Sequence, residues 1–227
     1  MSEPLAPSQG WGVLHLFCKA RPGADAQAIS SAVKAAAEGD HQVVPVAVLG
    51  HKADLGFLAV GPDLWRLRAL QTDLQGAGLD VVDSYVSLTE LSEYSANVPD
   101  AQKQARLYPK LPPEGMNAFC FYPMSKRRQP EQNWFALPYD ERLELMYEHG
   151  KSGRTFAGRI VQLVTGSTGL DDYEWGVTLF GVHPDDIKEC VYTMRFDRAS
   201  TLYAEFGPFV TGMVADLDDV LRRVGIG

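Results

Sequence analysis

The chain has 227 residues, of which 45% are hydrophobic and 22% are charged, and this composition is typical of a globular protein with one large domain or two modest ones. Its formal net charge of −8 argues against binding of nucleic acid through a broad basic surface, because phosphate contacts need clustered lysine and arginine side chains. No apolar run approaches the roughly 20 residues that a membrane-spanning helix needs, so a soluble protein is expected.

The first half of the chain alternates between strand and helix patterns. Its glycines and prolines lie where turns and helix ends are expected, and Pro45 favours an edge position for its strand. The order is that of a ferredoxin-like βαββαβ unit. The predicted elements are a strand over 11–20, a helix over 24–39, strands over 42–50 and 55–61, a helix over 62–78 and a strand over 79–91.

The second half repeats this order after a proline-rich segment. The sequence predicts an N-terminal domain over 1–100, a linker over 101–116 and a C-terminal domain over 117–227. The predicted fold class is therefore α+β, with two fused ferredoxin-like domains. The predicted C-terminal elements are a strand over 117–124, a helix over 139–150, strands over 157–167 and 173–181, a helix over 184–197, a strand over 201–212 and a helix over 214–225.

Three cysteines and the N-terminal stretch bear on the compartment. Cys18, Cys120 and Cys190 are widely spaced and form no CxxC motif, which favours reduced thiols. The stretch MSEPLAPSQG lacks the basic and apolar parts of a signal peptide. A cytoplasmic location is expected.

His149 is the first candidate for chemistry. It follows Leu143 and Met146 at a spacing of three on the predicted helix, so the three side chains share a face and the imidazole is expected to point inward. One interpretation is a cationic residue at a helix end, stabilised by roughly 0.3 to 1 kcal/mol through the helix dipole. The other is the axial ligand of a haem, because a single histidine cannot complete a zinc site.

Two further stretches leave alternatives open. Gln162 shares a strand face with Ile160, and it is either a buried polar group that needs a partner or a residue at an edge facing solvent. Tyr122 ends an aromatic strand just before Lys126, which suggests an oxidisable phenol beside an anion site or, equally, a surface hairpin with a basic tip. No residue of the N-terminal half is a site candidate, and Trp11, Trp65 and His15 are expected in the core.

Four blocks of sequence resemble the chlorite dismutase superfamily, and within it the HemQ-type coproheme decarboxylases. The resemblance is dense from about residue 106 to 212, whereas over 11–100 it is limited to the element order and the phrase SYVSLTELSEY. It implies two ferredoxin-like domains per subunit, of the dimeric α+β barrel type, assembled as a ring of five. The blocks are CFYPMSKRR, NWFALPYDERLELMYEHGKSGR, AGRIVQLVTGSTGLDDYEWGVTLF and MRFDRASTLYAEFG.

The resemblance also implies a role for each matched residue. Gln162 matches a distal position at which chlorite-degrading relatives have an arginine, and its neutral amide favours the decarboxylases. Some decarboxylases use a distal histidine base, but no histidine lies between residues 52 and 148. The other implied roles are an iron ligand for His149, a radical-forming catalytic tyrosine for Tyr122, assistance with propionate charge or protons for Lys126, a pocket residue for Met124, an arginine near the site for Arg154, a propionate hydrogen bond for Ser200 and propionate binding for Arg106, whose spacing to Tyr122 is two residues longer than in the family.

The implied activity is hydrogen-peroxide-dependent decarboxylation of two propionates of Fe-coproporphyrin III (coproheme) to vinyl groups, which gives haem b. The implied partners are coproheme, hydrogen peroxide, further copies of the chain in a homo-oligomer, most simply a pentamer, and transiently the ferrochelatase that precedes it. The alternatives are a haem-dependent peroxidase or chlorite dismutase-like enzyme, and a non-catalytic haem-binding oligomer with a ferredoxin-like fold.

Overall fold

The computed structural model describes residues 3–96 and 98–227. Residues 1, 2 and 97 lie outside the described residues. All three belong to the predicted N-terminal domain, and the first two also begin the stretch that was examined for a signal peptide. Over the described residues, no helix combines the length and the apolar character needed to cross a membrane.

The first ferredoxin-like unit forms as the sequence pattern predicts. Its four strands lie in the order β2-β3-β1-β4 and are antiparallel. Asp25 and Asp63 begin the two helices, since each carboxylate accepts hydrogen bonds from backbone N–H groups of the first turn. The elements are β1 (Gly12–Ala20), α1 (Ala26–Ala36), β2 (Gln42–Leu49), β3 (Leu55–Gly61), α2 (Leu64–Gly76) and β4 (Leu79–Thr89).

The second unit has the same strand order with several additions. Strands β11, β5, β9 and β8 lie side by side in that order, which matches the arrangement of the first unit. The elements are β5 (Ala118–Lys126), a small hairpin of β6 (Arg128–Gln129) and β7 (Gln132–Asn133), a 3-10 turn (Trp134–Ala136), α4 (Tyr139–Arg154), β8 (Ile160–Gly166), β9 (Trp175–Gly181), α5 (Pro184–Met194), α6 (Arg198–Tyr203), β10 (Ala204–Phe206), β11 (Val210–Val214) and α7 (Leu217–Arg223).

The two units join edge to edge into one closed sheet. Strand β4 pairs with β8, and β2 pairs with β11, so each edge strand of one unit is hydrogen-bonded to an edge strand of the other. Closure removes the exposed strand edges that two separate sheets would leave. The predicted α+β class with two ferredoxin-like units is confirmed. The expected edge position of Pro45 is wrong, because β2 has a neighbour on each side, but the ladder to β11 begins at Val46 and needs no N–H from Pro45.

The barrel has apolar packing on both sides of its wall. The interior contains Phe121, Phe180 and other apolar side chains from both units. His15 is also buried there and lies 4.0 Å from the Phe121 ring, centroid to centroid. The helices of the first unit cover its outer side. The expectation that Trp65 belongs to the core is wrong, since 55% of it is exposed on α2, whereas Trp11 is half-buried.

Three predicted elements differ from the structure. The predicted linker contains a helix, α3 (Asp100–Leu107). The helix expected over 139–150 continues to Arg154, because the glycines within it keep a negative φ and the first left-handed glycine after it is Gly158. The strand expected over 201–212 begins as α6, since Asp197 caps that helix by accepting a hydrogen bond from the Ser200 N–H.

Candidate active site

The sheet of the second unit has an outer face, on the side of α4, α5 and α6, that carries several predicted site residues. Tyr122 and Val164 each lie opposite Val177, on the two neighbours of β9. Directly paired residues point to the same side of a sheet, and Gln162 shares that side because it is two residues from Val164. We call this the outer face, and its members are Cys120, Tyr122, Met124, Gln162, Val164, Gly166, Trp175, Val177 and Leu179.

Helices cover only part of the outer face. α5 packs against β5, β8 and β9, and its Ile187 closes over Tyr122 and Val177. α4 packs against α5 and α6. Val164 is 39% exposed, and Gln162 is also exposed. The outer face therefore offers an accessible apolar surface with one neutral amide.

His149 lies on α4 and is held by a buried carboxylate. Its Nδ1 is 3.1 Å from Oδ2 of Asp197, which is only 4% exposed. A carboxylate can only accept a hydrogen bond, so Nδ1 carries the hydrogen and Nε2 keeps its lone pair in the neutral ring. Nε2 has no hydrogen-bond partner among the residues that the structure describes. This is the arrangement of an imidazole that is ready to bind a metal through Nε2.

The interpretation of His149 as a helix-end residue is wrong. α4 continues for five residues beyond it, to Arg154, whereas the dipole effect is confined to the last turn. The side chain is 28% exposed, so it points neither fully inward nor fully into solvent.

A chain of hydrogen bonds links His149 to Lys126. The Lys126 Nζ donates to the Ala199 carbonyl at 3.1 Å, and the N–H of the same peptide unit, from Ser200, donates to Oδ1 of Asp197 at 2.8 Å. Oδ2 of Asp197 then accepts from His149 and, at 3.1 Å, from the Ser200 hydroxyl. Each bond polarises the next, so the ammonium and the imidazole are coupled through one peptide unit and one carboxylate.

Burial and neighbouring polar groups shift the pKa values of Asp197 and Lys126, the two members of this hydrogen-bonded series that carry charge. Burial alone would raise the pKa of Asp197, but the hydrogen bonds from His149 and Ser200 outweigh it and hold the pKa below its ordinary value. Burial lowers the pKa of Lys126 to about 8, against the opposing charges of Asp197 and Glu174. The Lys126 Nζ also lies 4.4 Å from the centroid of the Trp134 ring. Asp197 is thus a fixed anion, whereas Lys126 changes charge in a mildly alkaline range.

Tyr122 is enclosed by aromatic rings. Its ring stacks on Phe209 at a centroid distance of 4.5 Å and meets the edge of Phe206 at 5.6 Å. Burial raises the pKa of the phenol far above its ordinary value. Its hydroxyl has no hydrogen-bond partner among the described residues, although it is not fully enclosed. The phenol stays protonated, is fixed in orientation and is free to contact a ligand.

The structure divides the remaining predicted residues. Met124 lies on the outer face, opposite Trp175. Arg106, on α3, donates to the Ser95 hydroxyl at 3.0 Å, and the exposed Arg154 lies over the Tyr147 ring at 5.7 Å from its centroid. His149 and Ser200 thus meet at Asp197, and Lys126 is linked to it through the Ala199 carbonyl, while Tyr122, Met124 and Gln162 share the outer face. Arg106 and Arg154 form no hydrogen bond with either group in the described part of the chain.

Sequence reasoning missed Asp197 and Trp134. Asp197 precedes a helix, and an aspartate followed by RAS is a typical helix start, but the predicted strand over 201–212 hid this signal. Nothing in the sequence places Trp134 over the Lys126 ammonium, because that contact depends on the hairpin of β6 and β7.

The donor set fits a metal that is carried by a macrocycle. No cluster of three or more His, Cys, Asp or Glu side chains able to hold a metal ion occurs within residues 3–96 and 98–227. A lone imidazole with a free Nε2 supplies one axial bond, which suffices where a porphyrin supplies the other four. The exposed apolar outer face suits a flat ring.

Residues 23–215 match the family model described as chlorite dismutase. The chain belongs to the chlorite dismutase family. This confirms the resemblance found in the sequence, and members of this family are haem-dependent oxidoreductases. Membership of the HemQ-type branch of this family is consistent with the match but stays a prediction.

Curated relatives and solved structures agree with this family. The chain is 38% identical to the "putative heme-binding protein" of Natronomonas pharaonis over 92% of its own length, and it spans about two fifths (40%) of that relative. A structure titled as a novel heme-binding protein from Thermus thermophilus is 34% identical, with a TM-score of 0.88 and full coverage of both chains. A mutant chlorite dismutase from Candidatus Nitrospira defluvii is 19% identical, with a TM-score of 0.79 and coverage of 96% and 97%, and shows the fold alone.

Proposed function

We propose that this protein is a coproheme decarboxylase, which uses hydrogen peroxide to convert two propionates of Fe-coproporphyrin III into vinyl groups and so yields haem b. The observation that carries the proposal combines two side chains. His149 has its Nδ1 held by Asp197, and neither its Nε2 nor the Tyr122 hydroxyl has a hydrogen-bond partner within residues 3–96 and 98–227. An iron ligand and an oxidisable side chain are the two parts that this chemistry needs.

Binding of an iron porphyrin is supported by the names of two relatives, from Natronomonas pharaonis and Thermus thermophilus, both of which are described as heme-binding. In this chain His149 would hold the iron, and Asp197 would keep its ring in place and raise its basicity. When bound, the iron porphyrin supplies the two-electron reaction with peroxide. The protein supplies position, charge and protons.

Tyr122 is the residue that would carry oxidation to the propionate. For each arm, a propionate, one hydrogen peroxide and one proton give a vinyl group, one carbon dioxide and two waters. The propionate loses two electrons and the peroxide gains them. Because its pKa is raised, the Tyr122 phenol has to lose its proton together with an electron, and its stacking on Phe209 keeps the ring in one orientation during that step.

Cationic and polar groups would orient the four propionates. Lys126 fits this role or that of a proton donor, since its pKa of about 8 lies close to neutrality. Through the resemblance, Arg106 is assigned to a propionate and Arg154 to a position near the site. The hydroxyl hydrogen of Ser200 is given to Asp197, so we assign Ser200 to the support of Asp197 in place of a propionate. Gln162 presents a neutral amide, which favours decarboxylation over the binding of an anionic oxidant such as chlorite.

Three further expectations belong to the same proposal. They are a homopentameric assembly, transient contact with the ferrochelatase that delivers coproheme, and a cytoplasmic location. The first is measured by sedimentation of the purified protein.

The proposed activity is tested by adding Fe-coproporphyrin III and then hydrogen peroxide in steps, and following product masses. We expect a three-propionate product that is then converted to haem b. Peroxide consumption with no product that has lost carbon dioxide would favour the peroxidase alternative, and an unchanged porphyrin spectrum in the His149→Ala variant would remove the ligand assignment.

A further inference from the structure

We infer that Glu90, from the N-terminal unit, is a proton-exchanging residue of the same site, which supplies through its carboxylic acid the proton that each decarboxylation consumes. This inference rests on the proposed function for its chemistry, although the state of Glu90 can be measured without any ligand.

Glu90 lies at the end of β4 and reaches the outer face of the second unit's sheet. Thr89 pairs with Thr165 across the antiparallel junction of β4 and β8, so the next residue, Glu90, comes opposite Val164, and its side chain extends to Gly166. A Cβ on Gly166 would collide with the Glu90 carboxyl group. Gly166 is thus the residue that leaves room for this carboxyl group on the outer face.

A hydrogen bond ties Glu90 to the outer face. The Trp175 indole Nε1–H donates to Oε1 of Glu90 at 3.1 Å. Trp175 lies between Gly166 and Met124 in one row across the sheet, and Val164, Val177 and Tyr122 form the next row. Successive rows on one face are about 7 Å apart. The carboxyl group therefore lies beside Gly166 on β8, one row along the sheet and two strands across from the proposed catalytic tyrosine on β5, and two rows from Gln162.

The surroundings of Glu90 favour its protonated form. It lines a cavity of about 340 Å³ whose other described lining residues are polar but not titratable, such as Gln9, Thr89 and Thr168, or apolar, such as Leu107. In the described part of the chain no cation lies within ion-pair distance of its carboxylate. Although the residue as a whole is exposed, burial of its carboxyl group raises its pKa, and the Trp175 hydrogen bond only partly offsets this.

These features suit proton exchange. A carboxylic acid with a raised pKa keeps its proton closer to neutrality, where it can be given to peroxide oxygen atoms as they leave as water. Polar residues and access to the cavity allow the proton to be replaced from solvent. Glu90 has no other role in the proposed function. Its hydrogen bond with Trp175 provides a probe of its protonation state.

The state of Glu90 is tested by following the indole N–H signal of Trp175 by NMR as pH is changed in the ligand-free protein, with Trp175→Phe to assign it. We expect a midpoint clearly above the ordinary glutamate value of about 4.3. The pH-dependent shift of the Trp175 signal should vanish in Glu90→Gln, whose amide oxygen can still accept the hydrogen bond from the indole N–H. In Gly166→Ala, where the new methyl pushes the flexible carboxyl aside, the midpoint should return toward the ordinary value. A Trp175 signal that does not titrate, or titrates at about 4.3 or below, would overturn the inference.

The role in catalysis is tested with Glu90→Gln and, as a matched control, Glu131→Gln in the exposed hairpin turn. We expect kcat to fall about 100-fold in Glu90→Gln, with KM for Fe-coproporphyrin III unchanged, and no change in the control. A Glu90→Gln enzyme with the kcat of the wild type at all pH values would refute proton exchange. If the wild type itself forms no product, the proposed function fails, while the titration still decides whether Glu90 holds its proton.

Discussion

The carboxylate of Asp197 is fixed between the imidazole of His149, at 3.1 Å, and the backbone N–H of Ser200, at 2.8 Å. One side chain therefore begins α6 and orients the residue proposed to bind iron. Because α6 also supplies the carbonyl that holds Lys126, the position of this short helix sets the geometry on both sides of Asp197.

Replacing Asp197 by asparagine should weaken the iron site without unfolding α6. Asparagine caps a helix about as well as aspartate, so the change mainly removes the negative charge behind His149. Loss of such a partner typically costs 10- to 100-fold in metal affinity or activity. We expect weaker binding of Fe-coproporphyrin III by absorbance titration and a higher reduction potential of the bound iron.

The matched control is Asp218→Asn on the exposed part of α7, which should leave both quantities unchanged. A normal affinity together with a normal potential in Asp197→Asn would contradict the role given to this carboxylate.

The buried ammonium of Lys126 should make the stability of the ligand-free protein depend on pH. Its pKa is about 8 in the folded protein and 10.5 in the unfolded chain, so the unfolded chain binds more protons between these two values. The free energy of unfolding should therefore rise as pH increases from about 8 to about 10.5, by roughly 3 kcal/mol from this residue. Denaturant unfolding at a series of pH values measures it.

Lys126→Met should lack this rise, since methionine has no charge to bury. Lys126→Arg should lack it too and should become less stable than the wild type as pH rises above about 8, because arginine stays charged. The same pH dependence in wild type and Lys126→Met would show that Lys126 is not the group responsible.

Most of the fold could be predicted because both units alternate strand and helix patterns with clear turn residues. The errors have local physical causes. Gly150 resembled a helix end, but it keeps a helical φ and α4 continues past it. Thr201, Tyr203 and Phe206 are residue types that favour strands, yet the cap at Asp197 begins a helix that continues to Tyr203.

The site was predictable in its residues but not in its connections. Spacing on a helix could suggest that His149 has a special role, but not that a carboxylate 48 residues away holds its ring. The contact between Glu90 and Trp175 crosses the junction of the two units. It depends on how β4 meets β8, and no periodic pattern within one segment encodes that.

Removing the Tyr122 hydroxyl should abolish product formation while leaving the fold intact. The hydroxyl has no hydrogen-bond partner among the described residues, so Tyr122→Phe leaves no group unsatisfied and keeps the stacking on Phe209. We expect the free energy of unfolding to change by less than about 1 kcal/mol and the affinity for Fe-coproporphyrin III to stay within a few-fold. Product masses after peroxide addition should show mainly unreacted substrate.

Tyr192→Phe is the control, because Tyr192 is 61% exposed on α5. Normal yields of haem b from Tyr122→Phe would mean that oxidation reaches the propionate by another route.

A positive charge at position 162 should change which small ligands bind over the iron. Gln162 is exposed on the outer face and neutral, so Gln162→Arg adds a cation without burying it. A cation near a bound anion at an effective dielectric constant of about 20 contributes a few kcal/mol at most, and solvent reduces this further. We therefore expect fluoride to bind the iron of the reconstituted protein about tenfold more tightly, with a salt-dependent gain, as measured by absorbance titration. Gln162→Leu, which has no charge, should show no gain. If the arginine and leucine variants bind fluoride equally, residue 162 does not face the iron, and the distal position that the resemblance implies for Gln162 would be wrong.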